Sequence, residues 1–436
     1  MEYGLLLNGN GAQADFQLGA WKALDEVHLH FDWVASASMG NITAALIAQK
    51  NFKAISAFLA DGMIEKITAL NDSIAGLYLH YWSDLDFRDF RRQFLSTFSQ
   101  KAAPLLKALP RYLDEGALRS GKIRLNFILI DPKTLQAVSR TLEEIPEGDL
   151  ISTLLLGAVF PIFRKQENQD ETYFEAGFLS EMPLYTAVVM PSKKLITIGY
   201  PQTDVRRAFK KKGRPLSFLA IENSEFLELS ASEDPDALRE SHRHHAKLGY
   251  LDTLKALHQL VGEKLYINPR GNHRFFDLMV KDIGLPPKEP VACQLLMALL
   301  DIAKPYTALR QFDVLEKILT LLARSRWRRA DNKILALLEM TAWSAQIPEL
   351  KIYTPDQLIF EILNWSEQVL KTQLSEPLPS GAFQEPSFFD CVKWLAIRPE
   401  TIALDKVTAF REHAAPEMIL SLVTFYYIQT TALNFA

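Results

Sequence analysis

Two cysteines, Cys293 and Cys391, are all that the 436 residues contain. Their separation excludes a disulfide framework, matches no metal or redox spacing, and fits a reducing compartment. No charge of one sign dominates: 48 Lys and Arg stand against 52 Asp and Glu, a net charge of −4. A chain so near neutrality has no global signature of a nucleic-acid binder. Long hydrophobic runs are missing too. The longest, ISTLLLGAVFPIF at 151–163, falls short of the ~20 residues a spanning helix needs and contains Gly157 and Pro161. The N-terminal MEYGLLLNGNG enters an apolar strand without the basic, apolar and cleavage regions of a secretory leader. A soluble, cytoplasmic protein is expected, with peripheral membrane contact left open.

The composition, 48% apolar and 23% charged, is that of a folded globular chain long enough for two or three domains. In the first half, strand-like and helix-like segments alternate. YGLLLN, WVASAS, IRLNFILID (123–131) and KKLITIGY (193–200) read as strands; residues 12–27 and 40–62 carry helical periodicity, and 63–112 are mostly helical. Such alternation predicts a parallel sheet covered by helices. After the acidic stretch ENSEFLELSASEDPD, strand signals nearly vanish and amphipathic helices run to the C-terminus. The reading is an α/β domain over 1–225 and an all-α domain over 226–436. No repeat of fixed period appears in the second half.

Three motifs carry chemistry. In LLLNGNGAQADFQLGAWKAL, Gly9, Gly11 and Ala14 follow a strand and open a helix. A glycine-rich turn at a helix start offers free N–H groups to an anion, either a pyrophosphate or a transient oxyanion. The dinucleotide reading needs an acidic residue at the far end of the next strand. Asp32 stands at the near end, and the far end delivers Ser38 instead. The second motif, SASMG (36–40), places Ser38 between small residues Ser36 and Gly40 at a strand-to-helix turn, the setting of an exposed nucleophile. An ordinary serine in a turn reads the same way. The third, 156–188, runs through Pro161 to YFEAGF and MPL, setting Glu175 just past a short strand.

In this order the three motifs resemble the patatin-like phospholipase family, whose pattern is G-G-G-x-R-G, then G-x-S-x-G, then D-G-G or D-G-A. The flanks match as well: Gln17, Gly19 and KAL after the first motif, Pro161 before the third and MPL after it. The likeness covers about residues 1–205 and leaves the helical half unexplained. It implies a three-layer α/β/α domain with a mostly parallel sheet, acting on a lipid or other acyl ester without metal or organic cofactor. It implies Ser38 as nucleophile, Glu175 in place of an aspartate base, and the backbone N–H groups of Gly9, Asn10 and Gly11 as the oxyanion hole. Ser36 and Gly40 become the small positions of the elbow.

The chain departs from that pattern at each motif. Asn10 and Ala14 replace glycines, Gln13 replaces the arginine, and Asp15 adds a negative charge to the first helical turn. Glutamate matches aspartate in acidity (~4.3 against ~3.9), so what Glu175 changes is reach. Misplacement of a catalytic group by an ångström costs about a hundredfold in rate. A catalytically impaired module that binds or scaffolds is the alternative to a hydrolase.

Other features carry less. His242, His244 and His245, with His258 further on, lack acidic or cysteine partners at metal spacing and read as a polar helix face. A histidine triad with Ser38 stays open in principle. RRAFKKKGR (206–214) reads as a basic loop, with attraction to anionic lipid as its functional alternative, and RSRWRR (324–329) supports the same idea. LYLHYW (77–82) reads as core or acyl-pocket lining. The apolar C-terminal segment reads as docked on the helical half or facing a membrane. No partner protein is implied.

Overall fold

A computed structural model describes residues 3–9, 11–81, 87–131, 137–159, 163–165, 172–174, 184, 194–211, 217–227, 234–371, 388–397 and 404–435. The chain divides into two compact units, Met1–Leu257 and His258–Ala436. The expected boundary near residue 225 moves to Leu257, because the helix that follows it belongs to the N-terminal unit.

That unit is built on strands β1 (Tyr3–Leu7), β2 (Trp33–Ala37), β3 (Arg124–Ile130), β4 (Ala137–Thr141), β7 (Lys194–Ile198) and β8 (Ser217–Ile221), in the order β4-β3-β2-β1-β7-β8. All neighbours run parallel except β3 and β4. A separate antiparallel pair, β5 (Phe163–Lys165) and β6 (Thr172–Phe174), lies between β4 and β7 in the chain. All five residues of β2 and the four leucine-rich positions after Tyr3 in β1 are buried or nearly so, as expected for central parallel strands covered on both faces. Edge strands β4 and β8 are only partly buried, and β4 is also polar.

The helices of this unit are α1 (Ala14–Glu26), α2 (Met39–Ala48), α3 (Phe52–Ala60), α4 (Met63–Tyr81), α5 (Phe87–Lys101), α6 (Ala103–Ala108), α7 (Glu115–Ser120), α8 (Leu150–Val159), α9 (Gln202–Lys211) and α10 (Pro235–Ala256). Residues 40–62, expected as one helix, form two. Lys50 adopts a left-handed φ of 52°, and the Asn51 side chain then caps α3 by accepting the Ala54 N–H. Leu6, Trp33 and Ala35 on one sheet face pack with Val205 and Phe209 of α9. On the other face, the Ser36 hydroxyl meets Asn41 of α2, and Gly157 of α8 sits against Leu129. Helix α2 is apolar all round and buried from Met39 to Ile47, the mark of an interior helix. The segment 206–211, expected as loop, belongs to helix α9, with Arg206, Arg207 and Lys210 exposed.

Helix α10 lies along α1 at backbone distance. A Cβ placed on Gly19 would stand 1.8 Å from the Ala246 carbonyl oxygen, and one on Gly249 would stand 2.0 Å from that of Phe16. The crossing therefore requires glycine on both helices. It draws α10 into the α/β unit.

The C-terminal unit comprises α11 (Arg274–Asp282), α12 (Pro290–Leu300), α13 (Gln311–Leu322), α14 (Lys333–Ser344), α15 (Pro355–Lys371), α16 (Phe388–Ile397), α17 (Leu404–His413) and α18 (Pro416–Phe435), with a short parallel pair β9 (Tyr266–Ile267) and β10 (Ile352–Tyr353). The apolar C-terminal segment is core: Ile419, Leu420, Leu422, Val423, Phe425, Tyr427 and Ile428 of α18 are all buried. Trp327, whose place among arginines gave slight support to the lipid alternative, is also buried, at 1% exposure. Its indole N–H donates to Oε2 of Glu339 at 2.7 Å. Oε1 of the same carboxylate accepts the backbone N–H groups of Glu263, Lys264 and Leu265, each at 2.7 Å. A single buried carboxylate thus satisfies four donors and fixes the bend that leads into β9. No helix among the described residues is long and apolar enough to cross a membrane.

Removing that carboxylate should leave four donors without it, of which the Leu265 N–H and the Trp327 indole N–H are buried. Glu339→Ala is expected to destabilise the C-terminal unit by about 3 kcal/mol, read as a lowered denaturant midpoint for tryptophan fluorescence.

Candidate active site

Strand β2 is paired with β1 as far as Ala35 and with β3 as far as Ala37, which meets Ile128. Helix α2 begins at Met39, so the direction of the chain reverses over one residue. That residue, Ser38, takes φ 50° and ψ −130°. A non-glycine residue there is strained, by roughly 1–3 kcal/mol, and persists only where its surroundings over-determine it. The surroundings are close. A Cβ on Gly40 would lie 2.7 Å from the Asn8 carbonyl oxygen, and one on Gly9 would lie 3.3 Å from the Ser38 Cβ. The turn after β1 is therefore packed directly on the turn after β2.

The two serines of the motif separate clearly. Ser36 is fully buried; its hydroxyl donates to Asn41 Oδ1 at 2.8 Å, and Asn41 Nδ2 donates to the Ile128 carbonyl at 2.9 Å. Ser38 is half-buried, and among the described residues its hydroxyl has one long contact, 3.5 Å, to the Ala158 carbonyl near the end of α8. An accessible hydroxyl with a weak partner is free to turn toward a base or substrate.

Asn8 at the end of β1 and Gln13 at the start of α1 are each held from other elements. Asn8 donates its backbone N–H to Ile198 and its side-chain amide to the Gly199 carbonyl at 2.9 Å, tying β1 to the end of β7. Its own carbonyl accepts from Gln17 Nε2 at 2.7 Å. The Thr43 hydroxyl lies 2.6 Å from Gln17 Oε1 and 3.0 Å from the Gly40 carbonyl, linking α1 to α2. Gly11–Gln13 form a single 3-10 turn leading into α1. Gln13 is buried, with Nε2 3.4 Å from Asn223 Oδ1 and an Oε1 that finds no partner among the described residues. The whole assembly sits where the chain leaves β1 on one side of the sheet and β7 on the other, the switch point at which open α/β sheets bind ligands.

Ser36, Ser38, Gly40, Gly9 and Gly11 are thus gathered at the carboxyl ends of β1 and β2. Asn10 and Glu175 lie outside the described residues; Glu175 directly follows β6, which ends at Phe174. Trp82 of the aromatic stretch is also outside them.

Sequence reasoning missed one cluster beside this turn. His242, expected on a polar face, is buried between two carboxylates. Its Nδ1 lies 2.6 Å from Asp15 Oδ2, and its Nε2 contacts Glu65 Oε1. Burial raises the Asp15 carboxyl above the usual range, more than His242 lowers it. Burial likewise raises Glu65. For His242, burial disfavours the charge, but the hydrogen bond to Asp15 and the charges of Asp15 and Glu65 together outweigh it, so its pKa is raised. The available signal was the run His242, Ala246, Gly249, Thr253, a narrow stripe of small and polar residues at helical spacing. Among the described residues, no group of three His, Cys, Asp or Glu side chains is placed to hold a metal ion.

Comparison with known proteins follows from this geometry. Residues 5–188 match the family described as patatin-like phospholipase. No curated protein matches. Among solved structures, the chain aligns with VipD from Legionella pneumophila at 12% identity, over 98% of this chain and 91% of that one, with a TM-score of 0.30. It aligns with a structure of SpcU in complex with ExoU from the type III secretion system of Pseudomonas aeruginosa at 14% identity, over 100% and 91%, with a TM-score of 0.26. Scores this low add nothing to the family match.

The strain at Ser38 gives a direct check. Ser38→Gly should raise stability by about 1 kcal/mol in urea unfolding, whereas Ser38→Ala, which keeps the Cβ, should not.

Proposed function

We propose that this protein, whose residues 5–188 belong to the patatin-like phospholipase family, is a serine acyl hydrolase acting on lipid esters through Ser38 and Glu175. One observation carries the reading: the only residue between β2 and α2 is a half-buried serine with a left-handed φ, packed against a glycine turn at the switch point of the sheet.

The chemistry follows from those parts. Glu175 takes the Ser38 hydroxyl proton as Oγ attacks the ester carbonyl carbon. The carbonyl oxygen becomes an oxyanion, which the N–H groups of Gly9, Asn10 and Gly11 stabilise by hydrogen bonding. Collapse expels the alcohol, which takes up the proton from Glu175 and leaves Ser38 acylated. Water then gives a proton to Glu175 and its oxygen to the acyl carbon, and release of the fatty acid returns that proton to Ser38. Gln13 offers no positive charge to the oxyanion, so the backbone donors and the start of α1 carry that role. The same neutral position is what favours the second reading, a patatin-fold binding module with impaired catalysis.

The deciding experiment is hydrolysis of short- and long-chain esters by wild type, Ser38→Ala and Glu175→Ala. Ser38→Ala is expected to lose about a thousandfold or more in kcat, with Glu175→Ala losing at least a hundredfold. A fluorophosphonate should label Ser38 and leave the buried Ser36 untouched, as read by peptide mass spectrometry. Wild type no faster than Ser38→Ala on every ester leaves the binding module.

A further inference from the structure

Helix α13 carries apolar side chains that the core of the C-terminal unit does not take up. Val314, Ile318 and Leu322 are buried and mark its inner face. Phe312, Leu319 and the C-cap residue Ala323 fall on a different stripe, along one flank, and all three are exposed. Phe312 is 73% exposed and Leu319 is 50% exposed. Half-buried Leu315 borders the stripe and packs on Gly284, where a Cβ would lie 2.7 Å from Leu315 Cγ. The next residue, Leu285, is 43% exposed. Its turn is pinned from two helices. Gln311 Nε2 donates to the Ile283 carbonyl at 3.0 Å, and the Tyr427 hydroxyl donates to the Leu285 carbonyl at 3.0 Å. Leu285, Phe312 and Leu319 therefore form a fixed apolar strip along the flank of α13.

The strip ends in arginines. Arg324, Arg326, Arg328 and Arg329 follow the last turn of α13, and all four are exposed. Trp327 stands among them and is buried, with its indole N–H on Glu339. The 3-10 turn Arg326–Arg329 is thus plugged into the core by its tryptophan while the guanidinium groups stand outside. Among the described residues, none of the four has a carboxylate at ion-pair distance. Arg326 lies 6.0 Å from the centroid of the Trp343 ring, and Glu417 accepts its backbone N–H, not its guanidinium. Of the acids alongside, Asp313 is paired with Lys304, and Glu316 and Asp331 are exposed.

We infer that this face of the C-terminal unit docks on an anionic lipid surface, with Leu285, Phe312 and Leu319 entering the headgroup region and the four arginines meeting lipid phosphates. The combination selects the occupant. An apolar flank lying along a surface, with cations at one end, is what an interfacial helix presents to a bilayer. Guanidinium groups match phosphate oxygens in a planar fork, and each basic group beside an anionic membrane adds about fivefold to affinity. A nucleic acid would engage the arginines and leave Phe312 and Leu319 in water. A stable protein interface buries about 800 Å² per partner, more than three part-exposed side chains supply. The inference concerns the C-terminal unit by itself and does not depend on the reading of Ser38.

The test is sedimentation of the full-length protein with vesicles of ether-linked phosphatidylcholine, alone or mixed with phosphatidylserine. Ether linkages withhold the ester bond, so a failure of the hydrolase reading leaves this measurement untouched. Wild type should bind the mixed vesicles about tenfold or more tightly than the neutral ones, and added salt should weaken the binding. Joint substitution Arg324→Gln, Arg328→Gln and Arg329→Gln should lose about a hundredfold in affinity for the mixed vesicles. Phe312→Ser with Leu319→Ser should lose about tenfold and keep the salt dependence. All five positions are exposed, so both variants should unfold at the wild-type thermal midpoint. Wild type that binds neither vesicle, or an arginine variant that binds as wild type does, overturns the inference. Competition by duplex DNA, with undiminished vesicle binding by the serine variant, assigns the arginines to a nucleic acid and overturns it as well.

Discussion

The contact between two turns, one after β1 and one after β2, is the constraint on which the N-terminal unit depends. Gly40 stands where any side chain would strike the Asn8 carbonyl, and Gly9 lies against Ser38. Because β1 and β2 are parallel neighbours, their carboxyl ends necessarily emerge side by side. Each must then turn into a helix within a few residues, and there is room for both turns only if small residues meet at the crossing. The left-handed backbone at Ser38 is the consequence. A strand held in register up to Ala37 and a helix starting at Met39 leave one residue to absorb the reversal. The strain is carried by sheet hydrogen bonds on one side and by the buried helix α2 on the other.

The same crossing explains why so many polar groups are buried here. Gln17, Asn41, Thr43 and Ser36 are inside the protein, yet each makes a hydrogen bond to one of the two turns or to the strands that feed them. An apolar substitute at these positions would pack, but it would leave the turn carbonyls of Asn8 and Gly40 without donors. The buried amides and hydroxyls are the means by which two irregular segments are held to the tolerance that preorganised chemistry requires. Glu339 does the equivalent work in the C-terminal unit, where one carboxylate serves three consecutive backbone N–H groups.

Much of this was legible in the chain. Central strands β1, β2, β3 and β7 are mostly apolar, and Ser38 is marked by its place between a strand and a helix. What was hidden depended on contacts distant in sequence. Strand β4 carries no strong pattern because an edge strand is half solvated. Helix α10 follows an acidic, linker-like stretch, and only the glycines at 19 and 249 reveal that it returns to α1. Trp327 sits among arginines, and the glutamate that buries its indole is twelve residues away. His242 lacked a visible partner for the same reason: Asp15 is 227 positions upstream.

That distant pairing alters the meaning of Asp15. In sequence it is a negative charge in the first turn of the helix that, under the proposed function, faces an oxyanion, and a bare carboxylate there would oppose the charge developing on substrate. Buried beside His242, the carboxylate is instead paired at hydrogen-bond distance with an imidazole whose pKa that contact raises. The positive end of the α1 dipole is then less fully used by Asp15 and more available to an anion at Gly9–Gln13. The replacement of a basic residue by Gln13 becomes easier to understand on the same terms. With the nearest acid partly neutralised from behind by His242, the turn needs less positive charge in front, and its N–H groups can serve a developing oxyanion without a cation beside them.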